Sequence, residues 1–351
     1  MKTIRILGGG ISGLTAAISL SKAGIDVEVH ERKSYCGKHT NDFQFLENWT
    51  FDEDVLDNLQ AMNIKIEFYC KPWIGQTILS PSLKEYVGIS SKPLMYLIKR
   101  GRSKDSIDQA LAKQASANDV KIIYGSNLNS SDADVVAAGP KTPSFVAMGI
   151  KFPFEHPDKS IVLLDDTLSY KFYSYFIVND QVGEVVCVNP TGMKEHKRRL
   201  DDTVDRFEGI LKAKIGSRAE SFSAGVNFNF LENSHNNQYC IGEAAGFQDC
   251  LAGFGMLYAF KSGYLAAKSI IEDCDYNRLW KEVLLKPMQI SAVNRNLYEK
   301  LSNAGYEKLI DLLNNTNPVI QKLIGGKDLR HILKRIYNHS LSNLLRFLLS
   351  S

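Results

Sequence analysis

Short apolar runs and a helical repeat alternate along the start of the chain. Residues 3–7 are an apolar run that predicts a β-strand, and they lead directly into the glycine-rich segment 8–13. Gly24 is placed to end the helix that follows, and a second strand is predicted at residues 27–30. The apolar positions of that helix recur at helical spacing, at Leu14, Ala17, Ile18 and Leu20. The pattern predicts a strand, a glycine turn, a helix and a second strand.

The glycine spacing of segment 8–13 is typical of a dinucleotide-binding turn. Gly8 permits the tight turn, Gly10 lets a pyrophosphate approach the backbone, and Gly13 lets the helix pack on the strand. The N–H groups at the start of the helix, at Ile11 and Ser12, would hold the phosphates together with the positive end of the helix dipole.

An acidic residue ends the second strand, about 20 residues after the turn, as this motif requires. Glu31 would accept hydrogen bonds from a ribose diol, and its charge would repel a 2′-phosphate; Arg32 adjoins it. The segment therefore predicts FAD or NAD and disfavours NADP.

Two later segments favour FAD. A buried strand at residues 133–138 ends in Gly139 and Pro140. It resembles the strand after which flavoproteins cross back from the FAD domain into the substrate domain. Segments 239–247 and 250–256 precede a long helix at residues 257–271. Small residues on that helix would face neighbouring backbone, namely Ala259, Ser262, Gly263, Ala266 and Ala267.

Over residues 1–275 these motifs resemble FAD-dependent oxidoreductases of the geranylgeranyl reductase type, relatives of the aromatic-hydroxylase flavoproteins. The resemblance implies that Arg100 lies beside the FAD and that Glu243 holds its ribityl chain. It also implies that the long helix points its N-terminus at the flavin pyrimidine ring. The FAD-binding residues are therefore expected to be Gly8, Gly10, Ile11, Ser12, Gly13, Glu31, Arg32, Arg100, Glu243, Gly253, Gly255 and Met256.

Two departures from the family pattern bear on activity. The ribityl acid is usually Asp, and this chain has Glu243. The Cys-Gly-Gly element of the isoprenoid reductases is missing, and Cys36-Gly37 comes too early to replace it. The extra methylene of Glu243 would shift the FAD slightly, whereas the missing element bears on the specific isoprenoid activity more than on FAD binding.

The predicted fold class is α/β: a Rossmann-type FAD-binding domain with an inserted mixed β-sheet substrate domain and a C-terminal helical region. The FAD-binding domain is expected to be discontinuous, and the helical region would begin after residue 275. The predicted boundaries are 1–60, 97–140 and 235–275 for the FAD-binding domain, 61–96 and 141–234 for the substrate domain, and 276–351 for the helical region.

Candidates for proton transfer are few. A hairpin is predicted from residues 170–178 and 182–188, and its aromatic strand carries Tyr173 and Tyr175. These rings would either floor an apolar pocket or pack within the sheet. Cys250 is either a redox or proton-transfer group or an inert buried thiol. His39 lies on the loop expected to pass the FAD and is either near the cofactor or exposed.

Composition and cysteine content indicate the class of protein and the compartment expected for it. The chain of 351 residues is 44% hydrophobic and 23% charged, as in a folded globular protein. Its net charge of +3 gives no argument for nucleic acid binding. The six cysteines form no CxxC pair, which indicates reduced thiols and a cytoplasmic protein.

The C-terminal region predicts a basic amphipathic helix. Apolar residues recur at helical spacing from Leu329 to Leu348, and the residues after 327 carry one acid, Asp328. The helix would either pack on its own domain or lie peripherally on an anionic membrane. Its basic residues are Lys327, Arg330, Lys334, Arg335 and Arg346.

The leading hypothesis is an FAD-dependent oxidoreductase that reduces, or otherwise redox-modifies, an apolar unsaturated substrate such as an isoprenoid or lipid. Alternatives are a flavin monooxygenase of the aromatic-hydroxylase type and an FAD-bound protein without catalysis. The electron donor is left open between NAD(P)H and a ferredoxin-like protein.

Overall fold

The structure is a computed structural model that describes residues 3–37, 40–140, 142–216, 219–227, 239–316 and 326–339. Contacts between Cα atoms divide it into two compact units. Unit 1 comprises Met1–Lys71, Tyr96–Thr142 and Asn227–Gln289, and unit 2 comprises Pro72–Met95, Pro143–Val226 and Ile290–Ser351. These boundaries describe compactness, and the division into an FAD-binding domain and a substrate domain remains a prediction about function.

Strands and helices alternate in the first part of the chain, and helices dominate its last part. The strands are β1 (Ile4–Leu7), β2 (Val27–Glu31), β3 (Phe43–Glu47), β4 (Cys70–Trp73), β5 (Gly75–Leu79), β6 (Glu85–Ile89), β7 (Met95–Lys99), β8 (Lys121–Tyr124), β9 (Val135–Val136), β10 (Phe145–Pro153), β11 (Lys159–Leu163), β12 (Ser174–Asn179), β13 (Val182–Pro190), β14 (Glu220–Val226) and β15 (Tyr239–Cys240). The helices are α1 (Ile11–Lys22), α2 (Val55–Ala61), α3 (Ile107–Ser116), α4 (His196–Leu211), α5 (Met256–Glu272), α6 (Tyr276–Trp280), α7 (Lys286–Tyr298), α8 (Asn303–Leu313) and α9 (Leu329–Asn338).

A parallel sheet in the order β15–β9–β1–β2–β8 forms the centre of unit 1. Parallel neighbours need a crossover connection, and α1 supplies the one between β1 and β2. Ile6 and Val29 pair across these two strands and are fully buried. Together with Leu14 and Ile18 of α1 they belong to the main hydrophobic core. The predicted strand–turn–helix–strand unit is confirmed.

Helix α5 packs against α1, and a glycine sets how closely. A Cβ atom added at Gly263 would lie 2.3 Å from the carbonyl oxygen of Ser12, so a larger residue would push the helices apart. This contact brings the segment that precedes α5 to the glycine turn.

A second, three-stranded sheet has the order β3–β7–β4.

Unit 2 is built on a mixed sheet in the order β14–β10–β13–β12–β11–β5–β6. Its neighbours are antiparallel except for the parallel pair of β11 and β5. Helix α4 covers β13, where Phe207 packs with Phe152 and Phe176 in a separate core. The β12–β13 turn places Asp180 and Gln181 at φ values of 50° and 62°, as a tight hairpin turn requires.

The predicted hairpin is present, but its first strand starts four residues later than predicted, at Ser174. Lys171 takes a φ of 54°, which ends any extended run before it. Its N–H donates to Asp166 Oδ1 at 3.0 Å, and its Nζ lies 2.7 Å from Asp166 Oδ2. A local turn held by this acid therefore replaces the first residues of the predicted strand.

Helix α9 packs on unit 2 through its apolar side, and Leu329, Ile332 and Tyr337 are buried there. Asp328 caps the helix by accepting the N–H of Arg330 at 2.9 Å and also accepts the N–H of Ser91 at 2.9 Å. The first half of the predicted amphipathic stripe is therefore used within the protein. No helix in the described ranges has the length and hydropathy that a membrane crossing requires.

Candidate dinucleotide-binding site

The glycine turn between β1 and α1 is held by close backbone contacts. Gly8 has a φ of 109°, and a Cβ atom there would lie 2.3 Å from the carbonyl oxygen of Ala137. A Cβ atom on Gly13 would lie 2.1 Å from the carbonyl oxygen of Gly8. Both positions exclude any larger residue, which confirms that the turn is tight and that α1 starts directly against it.

Gly10 differs from these two glycines because the space around it is open. A Cβ atom built on Gly10 would have no heavy atom within 4 Å among the described residues. Gly10 is also the N-cap of α1 and offers no side chain to the first N–H groups of the helix. Those N–H groups, which include Ile11 and Ser12, have no acceptor within the helix. The start of α1 therefore has the room and the donors to bind a phosphate.

Glu31 is buried at the end of β2 and stabilises the turn. Its Oε2 accepts the N–H of Gly9 at 2.9 Å, and its Oε1 accepts the N–H of Lys33 at 2.9 Å. Each carboxylate oxygen can accept a second hydrogen bond, so a ribose diol can still be bound. Arg32 is exposed next to it. The predicted ribose role of Glu31 remains a prediction, and its role in positioning the turn was missed.

Arg100 follows β7 and is tied to α3 by a buried bidentate ion pair. Its Nε and Nη2 each donate to Asp108 at 2.9 Å, and its Nη1 donates to Gln44 at 2.9 Å. Burial lowers the pKa of Arg100, but the surrounding carboxylates, with Asp108 contributing most, raise the pKa overall. The negative charges of Asp42 and Glu243 act in the same direction. Arg100 therefore links the end of β7 to α3, in addition to its predicted place beside the FAD.

Glu243 lies in a 3₁₀ turn, Gly242–Ala245, that the fold brings to the glycine turn. Gly242 has a φ of 60°, and a Cβ atom there would lie 2.5 Å from Ser12 Oγ. The Gly242 N–H donates to Ser262 Oγ of α5 at 2.9 Å. The residues predicted from distant parts of the sequence, around positions 12, 100 and 243, therefore belong to one part of unit 1.

The loop before α5, residues 249–255, is shaped by an acid that the sequence analysis missed. Asp249 accepts the N–H groups of Leu251 at 3.0 Å and of Ala252 at 2.8 Å, and it is fully buried. Gly253, at a φ of 83°, offers its carbonyl to Gln248 at 2.8 Å. We call this segment the 249 loop. An aspartate followed by a short glycine-containing segment is typical of a turn, because its side chain can accept backbone N–H groups just ahead of it, and this was the signal available.

The 249 loop also contains the remaining predicted residues. Gly255 is the N-cap of α5, and Met256 begins the helix as a buried residue. Cys250 is buried in the loop, at 3% exposure. A proton-transfer role for Cys250 is untested, and its burial is typical of an inert thiol.

The two tyrosine candidates lie in unit 2. Tyr173 stacks on Phe172 at 4.8 Å and packs with the core cluster of the C-terminal helices. Tyr175 lies 6.2 Å from Tyr173 between ring centroids. The guanidinium of Arg295 stands 5.0 Å over the Phe172 ring. These rings therefore serve packing within unit 2, and their catalytic role stays a prediction. His39 lies outside the described residues.

Two further buried polar residues border the 249 loop. Glu47 ends β3 at 1% exposure, and Tyr258 lies fully buried in the first turn of α5. An acid on the apolar face of a strand, in register with Phe43 and Phe45, was the sequence signal for Glu47.

Asn48 begins the sequence Asn48-Trp49-Thr50, which has the form of a glycosylation sequon. Asn48 is buried and donates to Asp54 Oδ2 at 2.8 Å.

A family model for an NAD(P)-binding Rossmann-like domain matches residues 6–56. Over 98 residues the chain is 31% identical to 4,4'-diaponeurosporene oxygenase of Staphylococcus haemolyticus. That match spans 27% of this chain and 17% of the oxygenase, so it covers less than a fifth of the relative's length.

Solved structures are similar over nearly the whole chain. A geranylgeranyl bacteriochlorophyll reductase-like protein from Thermoplasma acidophilum has a TM-score of 0.72 at 18% identity, covering 95% of this chain and 99% of that one. The chain has the fold of the FAD-dependent oxidoreductases. A flavoprotein/dehydrogenase from Cytophaga hutchinsonii gives a TM-score of 0.69 at 10% identity, covering 99% of each chain. The predicted fold class, and the resemblance to flavoproteins at the level of fold, are confirmed.

Proposed function

We propose that this flavoprotein-fold chain is an FAD-dependent oxidoreductase acting on an apolar unsaturated substrate, such as an isoprenoid or lipid. One observation carries the proposal. The uncapped start of α1, with open space at Gly10, lies against the Gly242 turn that leads to α5. These two segments are the ones expected to hold the pyrophosphate and the ribityl chain of an FAD.

The residues fit an FAD in its expected orientation. The N–H groups of Ile11 and Ser12 would bind the pyrophosphate, and Glu31 would bind the adenosine ribose. Glu243 would bind the ribityl chain, and the start of α5 would lie at the pyrimidine ring. A helix N-terminus stabilises negative charge, which suits a reduced flavin. FAD itself supplies the redox chemistry.

The substrate class rests on the names of two relatives. The structural neighbour is named for a geranylgeranyl group and the curated relative for 4,4'-diaponeurosporene, both long isoprenoid chains. The mixed sheet of unit 2 is the proposed substrate domain. The absence of the Cys-Gly-Gly element from the chain leaves the particular isoprenoid open.

A glycine substitution tests the FAD site without disturbing the fold. Because Gly10 has an extended backbone and open space at its Cβ position, Gly10→Val is expected to fold normally. The valine side chain would occupy the approach of the pyrophosphate, so bound flavin is expected to be lost. The measurement is flavin absorbance per protein together with the thermal unfolding temperature.

The matched control for this substitution is Gly192→Val in unit 2. Gly192 likewise has no heavy atom within 4 Å of a built Cβ among the described residues, so folding and flavin content should both stay unchanged. A Gly10→Val protein that folds and retains flavin would contradict the proposed site.

A monooxygenase is the second candidate, and the match to an oxygenase favours it. Reductant and oxygen use separate the two activities. Flavin reduced by NAD(P)H, with oxygen consumed only when an isoprenoid is present, would support the monooxygenase. Flavin reduced only by dithionite or a ferredoxin-like donor, with saturation of a substrate double bond under anaerobic conditions, would support the reductase. Bound flavin that no donor reduces would indicate a protein without catalysis.

A further inference from the structure

Three buried polar side chains around the 249 loop have oxygen atoms without a hydrogen-bond partner in the described chain. They are both carboxyl oxygens of Glu47, the hydroxyl of Tyr258 and Oε1 of Gln248. None of the three side chains exceeds 3% exposure. Buried polar atoms in folded proteins are nearly always paired, and those that are not point to a functional site or a missing partner.

The three side chains come from segments that the fold packs together. Strand β3, which ends at Glu47, packs against α5, which begins with Met256 and includes Tyr258. Just beyond Glu47, the ring of Trp49 meets the ring of Phe254 edge to face at 5.0 Å. Glu47 therefore lies close to the 249 loop and to the first turn of α5.

Among the residues that the structure describes, no cation is positioned to neutralise a charged Glu47. Lys261 of α5 donates to Asn58 Oδ1 at 2.7 Å and lies over the ring of Phe51. The guanidinium of Arg100 is paired with Asp108. An ionised carboxylate buried without a cation or a donor from another residue is strongly disfavoured, so the neutral acid is the stable form.

The neighbouring acidic groups also favour the neutral form of Glu47. Burial raises the pKa of Glu47 to about 8 and outweighs the residue's own backbone N–H, which lowers it; the negative charge of Asp249 raises it further. The phenol of Tyr258 has its pKa raised by burial and by the charges of Asp249, Glu47 and Cys250. On the neighbouring strand β7, Tyr96 bonds to Asp54, and Lys99 pairs with Asp105.

We propose that Glu47 is a positioning residue that holds a proton at the flavin site. The inference rests on the proposed function. A neutral Glu47 adds no negative charge beside the start of α5. The pyrimidine ring of a bound flavin would lie there and would gain negative charge on reduction. At a pH where Glu47 is ionised, its carboxylate would take up a proton from solvent when a bound flavin is reduced. Two electrons from the reductant are then accompanied by two protons from solvent, one to the flavin and one to Glu47.

The first test measures the midpoint potential of the bound FAD against pH, with dithionite as reductant and redox dyes as indicators. In the natural protein we expect one proton per two electrons at about pH 6 and two at about pH 9, on either side of the Glu47 ionisation. Glu47→Gln is expected to take up one proton throughout. The matched control, Glu67→Gln, replaces an exposed acid of unit 1 and should follow the natural protein. Equal proton uptake by Glu47→Gln and the natural protein would overturn the inference.

The second test needs neither a variant nor bound flavin. Carboxyl ¹³C NMR of glutamate-labelled natural protein should show one glutamate that titrates above neutral pH, far from the ordinary value of about 4.3. Titration of every glutamate near that ordinary value, in a protein that binds FAD, would overturn this inference alone. A protein that binds no FAD would overturn the proposed function and the redox part of the inference together.

Discussion

At the scale of single residues, buried acids of unit 1 fall into two kinds. Glu31 and Asp249 each accept two backbone N–H groups, and Asp108 accepts the Gly101 N–H as well as the Arg100 guanidinium. These carboxylates shape the turns around the site. Glu47 has no such partner among the described residues, so its burial carries an energetic cost whenever it is charged.

This cost makes stability depend on pH with a definite sign. Burial raises the pKa of Glu47 from 4.5 to about 8 in the folded protein. Between these values the folded state binds more protons than the unfolded state, so the free energy of unfolding falls as pH rises. We expect Glu47 to contribute a loss on the order of 3 kcal/mol across this window.

Urea unfolding at about pH 5 and about pH 8 measures that loss. Glu47→Gln should show a shallower decline than the natural protein, and the Glu67→Gln control should match the natural protein. An equal decline in all three proteins would show that Glu47 is ionised normally.

At the scale of elements, the Arg100–Asp108 pair joins the end of β7 to α3. Removing one partner of a buried ion pair leaves the other charge uncompensated. Arg100→Ala is therefore expected to lower the free energy of unfolding by about 3–5 kcal/mol. Arg102→Ala, at an exposed position nearby, should change it by less than about 0.5 kcal/mol. Equal effects in thermal or urea unfolding would mean that the pair contributes no stability.

How far the sequence predicts an element depends on what stabilises it. The turn at Gly8–Gly13 and helix α1 follow from local spacing, because glycine and apolar periodicity act over a few residues. The strand predicted from Tyr170 begins only at Ser174 because the Asp166 carboxylate binds Lys171 in a turn. The partners of Arg100 and Glu47 come from segments far along the chain, so local patterns could only suggest the residues and not their contacts.

At the scale of the whole molecule, membrane contact remains a prediction. Helix α9 buries Leu329, Ile332 and Tyr337 within unit 2, so lipid contact would depend on residues 340–351, which lie outside the described residues. We expect the full chain to sediment with anionic vesicles more than a truncation ending at His339, and salt to weaken this binding. The truncation retains α9 and its packing. Equal sedimentation of both proteins, or equal binding to neutral vesicles, would contradict the prediction.

The most direct test of the central claim is the absorption spectrum of the purified protein, before and after addition of FAD, with chromatography of the nucleotide released on denaturation. We expect a yellow protein with a flavin spectrum, one FAD released per chain, and quenched flavin fluorescence when FAD is added to protein stripped of cofactor. A colourless protein that takes up no added FAD, or one that releases NAD instead, would contradict it.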